Sequence, residues 1–163
     1  MTVIGHDNLR KLFPNFADDV AENGIDLRIG ELYIINKKES ERIGCVEDEK
    51  YLPTYAKVPL RYNEYRLDPH NFYFARIDRP IHIPKGYIQQ YYLRSSFSRC
   101  GLILTDAIGD SDFQGTLMLG LYNCGPMPVS IGFNERIIQA VTIKTDGTET
   151  SYDGDYQNDK IYK

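Results

Sequence analysis

An all-β barrel or sandwich with one short N-terminal helix is the fold class that this sequence predicts. Two observations carry it. From Phe72 onward, short apolar runs recur at roughly eight to twelve residues, the spacing of strands joined by tight turns. Before that, Ile25-Asp-Leu-Arg-Ile alternates apolar and polar residues with period two, as a half-buried strand does. A chain of 163 residues suits one domain. It is long enough to bury a core without a disulfide or structural zinc.

The elements follow in order. Leu9, Leu12 and Phe13 stand at helical spacing between Asp7, a suitable N-cap, and Pro14, a stop. A helix is therefore expected over 7–13, with a second helical turn around 17–21. After Gly24 come strands at 25–29 and 32–35. The charged, tyrosine-rich stretch 37–71, punctuated by Pro53, Pro59 and Pro69, reads as loops and hairpin arms. Strands are then expected at 72–77, 81–83, 87–94, 102–104, 115–122, 129–131 and 137–143. There is no internal repeat. Residues 1–145 form the expected β domain. Residues 146–163 are polar, rich in Gly, Asp and Tyr, and lack an apolar face, so they read as a tail that moves unless something ties it down.

Composition excludes several classes. The formal net charge of −4 argues against a protein that grips bulk DNA or RNA. No apolar run approaches the ~18 residues that span a bilayer, so no membrane partner is expected. The first residues form neither a basic leader nor an apolar signal core, which predicts a cytoplasmic protein. Cys45, Cys100 and Cys124 are scattered and odd in number, and read as free thiols in a reducing compartment. His6, His70 and His82 lie far apart and away from the cysteines at any metal-ligand spacing, so no zinc site is expected. His82 stands in a strand and is expected to face outward. Cys100 follows Arg99, which would favour its thiolate, although a small, partly buried thiol has the same sequence context. No phosphate-cradling glycine loop of the Walker or dinucleotide type is present.

Three segments are richer in chemistry. In Arg94-Ser95-Ser96-Phe97-Ser98-Arg99, two guanidinium groups flank a hydroxyl cluster, the donor set that an oligophosphate needs. A solvated polar loop has the same composition. In Gly109-Asp110-Ser111-Asp112-Phe113-Gln114-Gly115, two carboxylates and an aromatic ring stand between glycines. A carboxylate there can deprotonate a water and a ring can stack on a sugar, while a β-turn with Asx bonding reads the same way. In Arg136-Ile-Ile-Gln139, a neutral polar residue interrupts an apolar strand, which also fits an outward-facing Gln.

In order and spacing, these segments resemble the dUTPase and dCTP deaminase superfamily over most of the chain. Gly24-Ile-Asp26-Leu-Arg28-Ile-Gly30 is similar to the Ser-Ile-Asp-Leu-Arg-Leu-Gly stretch of the deaminase branch. Arg94 to Leu102 resembles Arg-Ser-Ser-x-Ala-Arg-x-Gly-Leu. Residues 109–115 are similar to the dUTPase motif Ile-Asp-x-x-Tyr-x-Gly, and Arg136 to Gln139 matches Arg-Ile-(Ala/Gly)-Gln.

The resemblance implies a distorted β-barrel or jelly-roll-like fold and a homotrimer with sites at subunit interfaces. It implies hydrolysis of dUTP to dUMP and pyrophosphate, with Asp110 as the water-activating carboxylate and Mg²⁺ held mainly by the triphosphate rather than by a protein metal site. Arg94, Ser95, Ser96 and Arg99 would bind phosphates, in the neighbouring subunit's site. Phe113 would pack on deoxyribose, Gln139 would hold the phosphates or the water, and backbone around 102–108 would read uracil. The glutamate that activates water in the deaminases corresponds to Gly120, which transfers no proton; this favours dUTPase. The connection from Gly101 to Asp110 is also about two residues shorter than the deaminase one.

Ser151-Tyr152-Asp153-Gly154-Asp155-Tyr156-Gln157 resembles the deaminase-branch tail Tyr-x-Gly-Lys-Tyr-Gln and makes Tyr152 and Tyr156 substrate-covering residues. Asp155 replaces its lysine, an acid near a polyanion that is unfavourable unless Asp155 points away or shares a metal; Lys160 or Lys163 would substitute for the lost cation. Two alternatives stay open: a dCTP deaminase, possibly bifunctional, using Asp106 as its carboxylate, and a non-catalytic dUTP sensor.

Overall fold

The computed structural model describes residues 2–40, 42–105, 108–147 and 150–162. Thr2–Val3 (β1) opens the chain, followed by helix α1, His6–Leu12. Gly5, in extended conformation, caps α1, and Asp7 lies inside the first turn facing His6, so the expected Asp7 cap is corrected. Leu9 and Phe13 are buried against the sheet.

The second helical turn comes earlier than expected, as a 3-10 helix over Pro14–Asp19. Pro14 presets the backbone of a first turn as well as ending α1. Asp19 anchors the far end. It is 3% exposed in its side chain and gathers Arg28 (2.8 Å), Arg79 and Arg136 (3.1 Å). Burial alone would raise its carboxyl; the hydrogen bond from Arg28 and the charges of all three arginines outweigh burial and hold it below the usual carboxylate range.

Ile25–Ile35 (β2) is one eleven-residue strand where two were expected. Its inward residues are Ile25, Leu27 and Ile29, then Leu32. The change of parity is made by a register shift between Ile29 and Glu31, a bulge at Gly30. A Cβ on Gly30 would sit 2.8 Å from Asp78 Cα, so only glycine lets the crossing backbone approach.

The hairpin arms are Gly44–Val46 (β3), Glu49–Tyr51 (β4), Tyr55–Lys57 (β5) and Glu64–Leu67 (β6). Phe72–Ile77 (β7), Ile81–His82 (β8) and Tyr87–Leu93 (β9) follow, and then Ser95–Arg99 folds as a one-turn helix, α2, rather than a loop. The chain continues through Leu102–Thr105 (β10), Gln114–Gly115 (β11), Met118–Asn123 (β12), Val129–Gly132 (β13) and Arg136–Lys144 (β14). The single strand expected over 115–122 is thus split at Thr116 and Leu117.

An antiparallel, curled half-barrel sheet runs β1-β14-β2-β7-β12-β10, with β5 on β2 and β9 on β14. The pairs β8–β11, β6–β13 and β3–β4 form three separate two-stranded sheets. Tyr73, Ala75 and Ile77 alternate inward along β7, and Tyr65 and Leu67 do so on β6. They join one apolar core with α1 and the 3-10 helix. No described helix is long and apolar enough to cross a membrane.

The tail is tied down. Gln157–Tyr162 forms a kinked 3-10 segment that packs against β11. Lys163 lies outside the described residues.

Candidate active site

Residues directly opposite each other on neighbouring strands share a face. One row on the concave face is Glu31–Arg76–Met118, and the next is Lys57–Tyr33–Phe74–Gly120–Thr105. The curl of the sheet brings this face opposite the turn 108–113 and the tail. Together they enclose a cavity of about 990 Å³ lined by Asp110, Phe113, Tyr152 and Tyr156, along with Tyr33, Phe74, Arg76, Tyr91 and Thr116. Four of the predicted site residues therefore meet in one place.

Asp110 is held by its neighbour. Gly109 exchanges two backbone hydrogen bonds with Gln89 (2.8 and 2.9 Å). A Cβ on Gly109 would lie 2.2 Å from Tyr91 Oη and 2.6 Å from Ile83 Cδ1, so the turn presses directly onto the buried ring. Tyr91 is 2% exposed and donates to Gln89 Oε1 at 3.3 Å. Its burial, and then the negative charge of Asp110, push its phenol well above the usual tyrosine value. Tyr91 is thus a neutral hydroxyl at any working pH. The Asp110 carbonyl accepts from Phe113 N–H at 3.1 Å, which closes the turn.

Phe113 is buried and meets Tyr152 edge-to-face, with centroids 5.8 Å apart. Asp112 takes a left-handed backbone (φ 65°) and bonds His82 at 3.1 Å. The His82 and Ser151 hydrogen bonds hold its carboxyl below the ordinary value. His82 faces outward as expected, with its ring engaged by an acid and not by a cysteine. Cys45, Cys100 and Cys124 are free and exposed, which corrects the partly buried reading of Cys100.

On the opposite wall, Glu31 accepts from Lys57, from Tyr33 (2.6 Å) and from Arg76 (3.2 Å). The Lys57 hydrogen bond, then that of Tyr33, bring its carboxyl down to about 2. Arg76 is the single cation lining the cavity among the described residues. Sequence reasoning passed over Arg76, Tyr33, Tyr91 and Thr116. Apolar runs and turn spacing marked the segments that carry them, but which face closes on a cavity is set by the curl of the sheet.

Arg94, Ser95, Ser96, Arg99 and Gln139 do not line this cavity. The first four belong to α2 and its N-cap, and Gln139 lies on β14 between Asp26 and Tyr92. Arg94 Nη1 is 3.5 Å from Asp26 Oδ2. Asp26 is 7% exposed, and its Oδ1 has no hydrogen-bond partner among the described residues. The predicted phosphate-binding set is thus a second patch, apart from Asp110 within one chain. Asp106 lies outside the described residues, as does part of the 102–108 segment.

Asp155 turns to Lys50 of β4 with an exposed side chain, away from the cavity. That settles where its charge goes.

The dCTP deaminase-like family matches residues 6–145. The chain belongs to that family. A probable deoxyuridine 5'-triphosphate nucleotidohydrolase of Methanothermobacter thermautotrophicus is 39% identical over 95% of this chain and 99% of its own length. A dCTP deaminase of Pyrobaculum arsenaticum is 28% identical over 97% of this chain and 93% of its own. The solved 2'-deoxycytidine 5'-triphosphate deaminase from Agrobacterium tumefaciens shares the fold, with a TM-score of 0.63 at 16% identity over 86% of this chain. This chain covers 47% of that protein, about half its length. The family members are enzymes of deoxynucleotide metabolism of two named kinds, so the choice between them rests on this chain's own residues.

Proposed function

We propose that this chain hydrolyses dUTP to dUMP and pyrophosphate, and that the working unit is a homotrimer. The observation that carries the choice is Gly120. It stands where deaminases carry the glutamate that activates water, and it has no group to move a proton. Nor is there room for one: a Cβ would lie 2.0 Å from Thr105 Oγ1 and 2.5 Å from Phe72 Cζ. General acid–base groups contribute roughly 10²–10⁴ in rate, and deamination here loses that factor.

Asp110 accepts the proton of a water and aims it in line at the α-phosphorus. Phe113 packs on the sugar where a 2′-hydroxyl would clash. Tyr152 and Tyr156 cover the nucleotide from the tail. Arg94, Ser95, Ser96, Arg99 and Gln139 bind phosphates in a neighbouring subunit's site; that none of them lines the Asp110 cavity within one chain supports a site shared between subunits.

Among the described residues no three His, Cys, Asp or Glu side chains gather as a metal cage. Asp26, whose buried Oδ1 has no hydrogen-bond partner among the described residues, is the carboxylate beside the phosphate-binding patch that would help hold a triphosphate-bound Mg²⁺. When bound, Mg²⁺ neutralises charge as the phosphoanhydride breaks.

The test is incubation with dUTP and, separately, dCTP, each with Mg²⁺, following pyrophosphate and ammonia. Pyrophosphate from dUTP alone, abolished by Asp110→Asn, is the expected result. Ammonia from dCTP would overturn the choice, and dUTP binding without turnover would make the chain a sensor.

A further inference from the structure

We propose that Asp159 is a positioning residue that latches the tail across the cavity of its own chain, independently of nucleotide. The kinetic arm of the test below rests on the dUTPase reading; the structural arm does not.

The pocket wall has a gap in its hydrogen bonding where the expected strand is split. β11 pairs with β8 on one side only. On the other side its donors turn to the tail. Thr116 N–H, in a residue 8% exposed, donates to Asp159 Oδ1 at 2.7 Å, and the Thr116 hydroxyl donates to Oδ2 at 3.0 Å. Gln114 N–H donates to Gln157 Oε1 at 2.8 Å, and Gln157 Nε2 returns to the Asp112 carbonyl at 3.0 Å and to that of Tyr152 at 3.2 Å. Tail side chains thus stand in for a missing strand. Lifting the tail would exchange two hydrogen bonds to a carboxylate for hydrogen bonds to water and open the Thr116 N–H to solvent.

The seat is also shaped for the carboxylate. A Cβ on Gly115 would come 3.0 Å from Asp159 Oδ1 and 3.4 Å from the Tyr156 carbonyl. Arg76 Nη2 stands 4.0 Å from Asp159 Oδ2 while Nη1 holds Glu31, so one guanidinium joins the cavity wall to the tail. Asp155 makes a second contact outside, with Lys50 on β4. Every one of these contacts is supplied by the chain itself. Seating Asp159 and Gln157 sets Tyr152 and Tyr156 on the cavity, which is how Asp159 acts on substrate without touching it.

The experiment is amide hydrogen exchange on the full chain without nucleotide, with chymotryptic cleavage at the tail tyrosines as a second readout. Thr116 N–H is expected to be protected in the wild type. Charge-assisted hydrogen bonds of this kind predict roughly a tenfold or greater loss of protection in Asp159→Ala. Asp159→Asn, which keeps an acceptor, should recover part of it. The KM for dUTP should rise by a similar factor in Asp159→Ala while kcat changes less.

The pair of exposed charges should matter less: Lys50→Glu speeds cleavage about two- to fivefold at low salt, and adding Asp155→Lys reverses it. Equal Thr116 exchange and equal cleavage in wild type and Asp159→Ala would overturn the latch. A chain that protects Thr116 but turns over no dUTP would leave the latch standing and remove the dUTPase reading instead.

Discussion

Gly109→Ala tests how Asp110, the carboxylate proposed to activate water, is held. The added methyl would meet Tyr91 Oη at 2.2 Å, Ile83 Cδ1 at 2.6 Å and Tyr91 Cζ at 3.1 Å. Ordinary contact begins at 3.4 Å, so the turn and the tyrosine must part by about 1.2 Å (from 2.2 to 3.4 Å). Tyr91 cannot yield easily. It is 2% exposed and packed in the core, and its hydroxyl is tied to Gln89. Gly109 cannot yield alone either, because both of its backbone bonds go to Gln89.

Overpacking of this kind costs about 1–3 kcal/mol, which for a domain of this size lowers Tm by roughly 2–4 °C per kcal/mol. If the turn moves instead, Asp110 moves with it, and a displacement near 1 Å costs about 10²-fold in kcat. The assay is a thermal melt together with steady-state dUTP hydrolysis in Mg²⁺. Tyr91→Phe removes the nearest atom, so the double variant should regain part of the loss, with a coupling of about 1 kcal/mol. Gly109→Ala with wild-type Tm and kcat would refute the argument, and so would strict additivity of the two changes.

Other outcomes follow from the same packing. Asp19→Ala strands three arginines whose side chains are 26–37% exposed; urea denaturation should show a loss of about 2–4 kcal/mol, less than for a fully buried cluster. The Glu31 carboxyl is held near 2, below its ordinary 4.5. Its stabilising contribution is therefore complete above about pH 4.5 and disappears as pH falls toward 2. Acid titration of Glu31→Gln should be flatter than wild type in that window, and an identical titration would remove the assignment. Gly120→Glu should lower Tm and release no ammonia from dCTP, because Thr105 and Phe72 already fill the space.

Strand content, the short helix and the motif order were legible in the chain because they depend on local chemistry. Period-two alternation writes the inward residues Ile25, Leu27 and Ile29 of β2 directly into residue order, whereas β6 lay in a stretch that read as loops and hairpin arms. Turn residues mark where each strand must stop. That Gly120, the position that resemblance pairs with the deaminase glutamate, has no side chain to move a proton is likewise a matter of residue type.

Other features depend on what meets across the sheet. The bulge at Gly30 merges two apparent strands into one, because Asp78 crosses there. The run at 115–122 splits because Thr116 finds its partner in Asp159, forty-three residues away. The tail has no apolar face of its own and looked mobile; backbone donors left open on β11 give it a seat. Asp155 had no visible partner until β4 brought Lys50 beside it. Arg76 and Tyr33 entered the cavity through the curl of the sheet, and the Arg94–Gln139 patch fell away from Asp110 for the same reason. Local chemistry sets which elements form, whereas partners distant in the chain, and the space between them, decide where a site can be built.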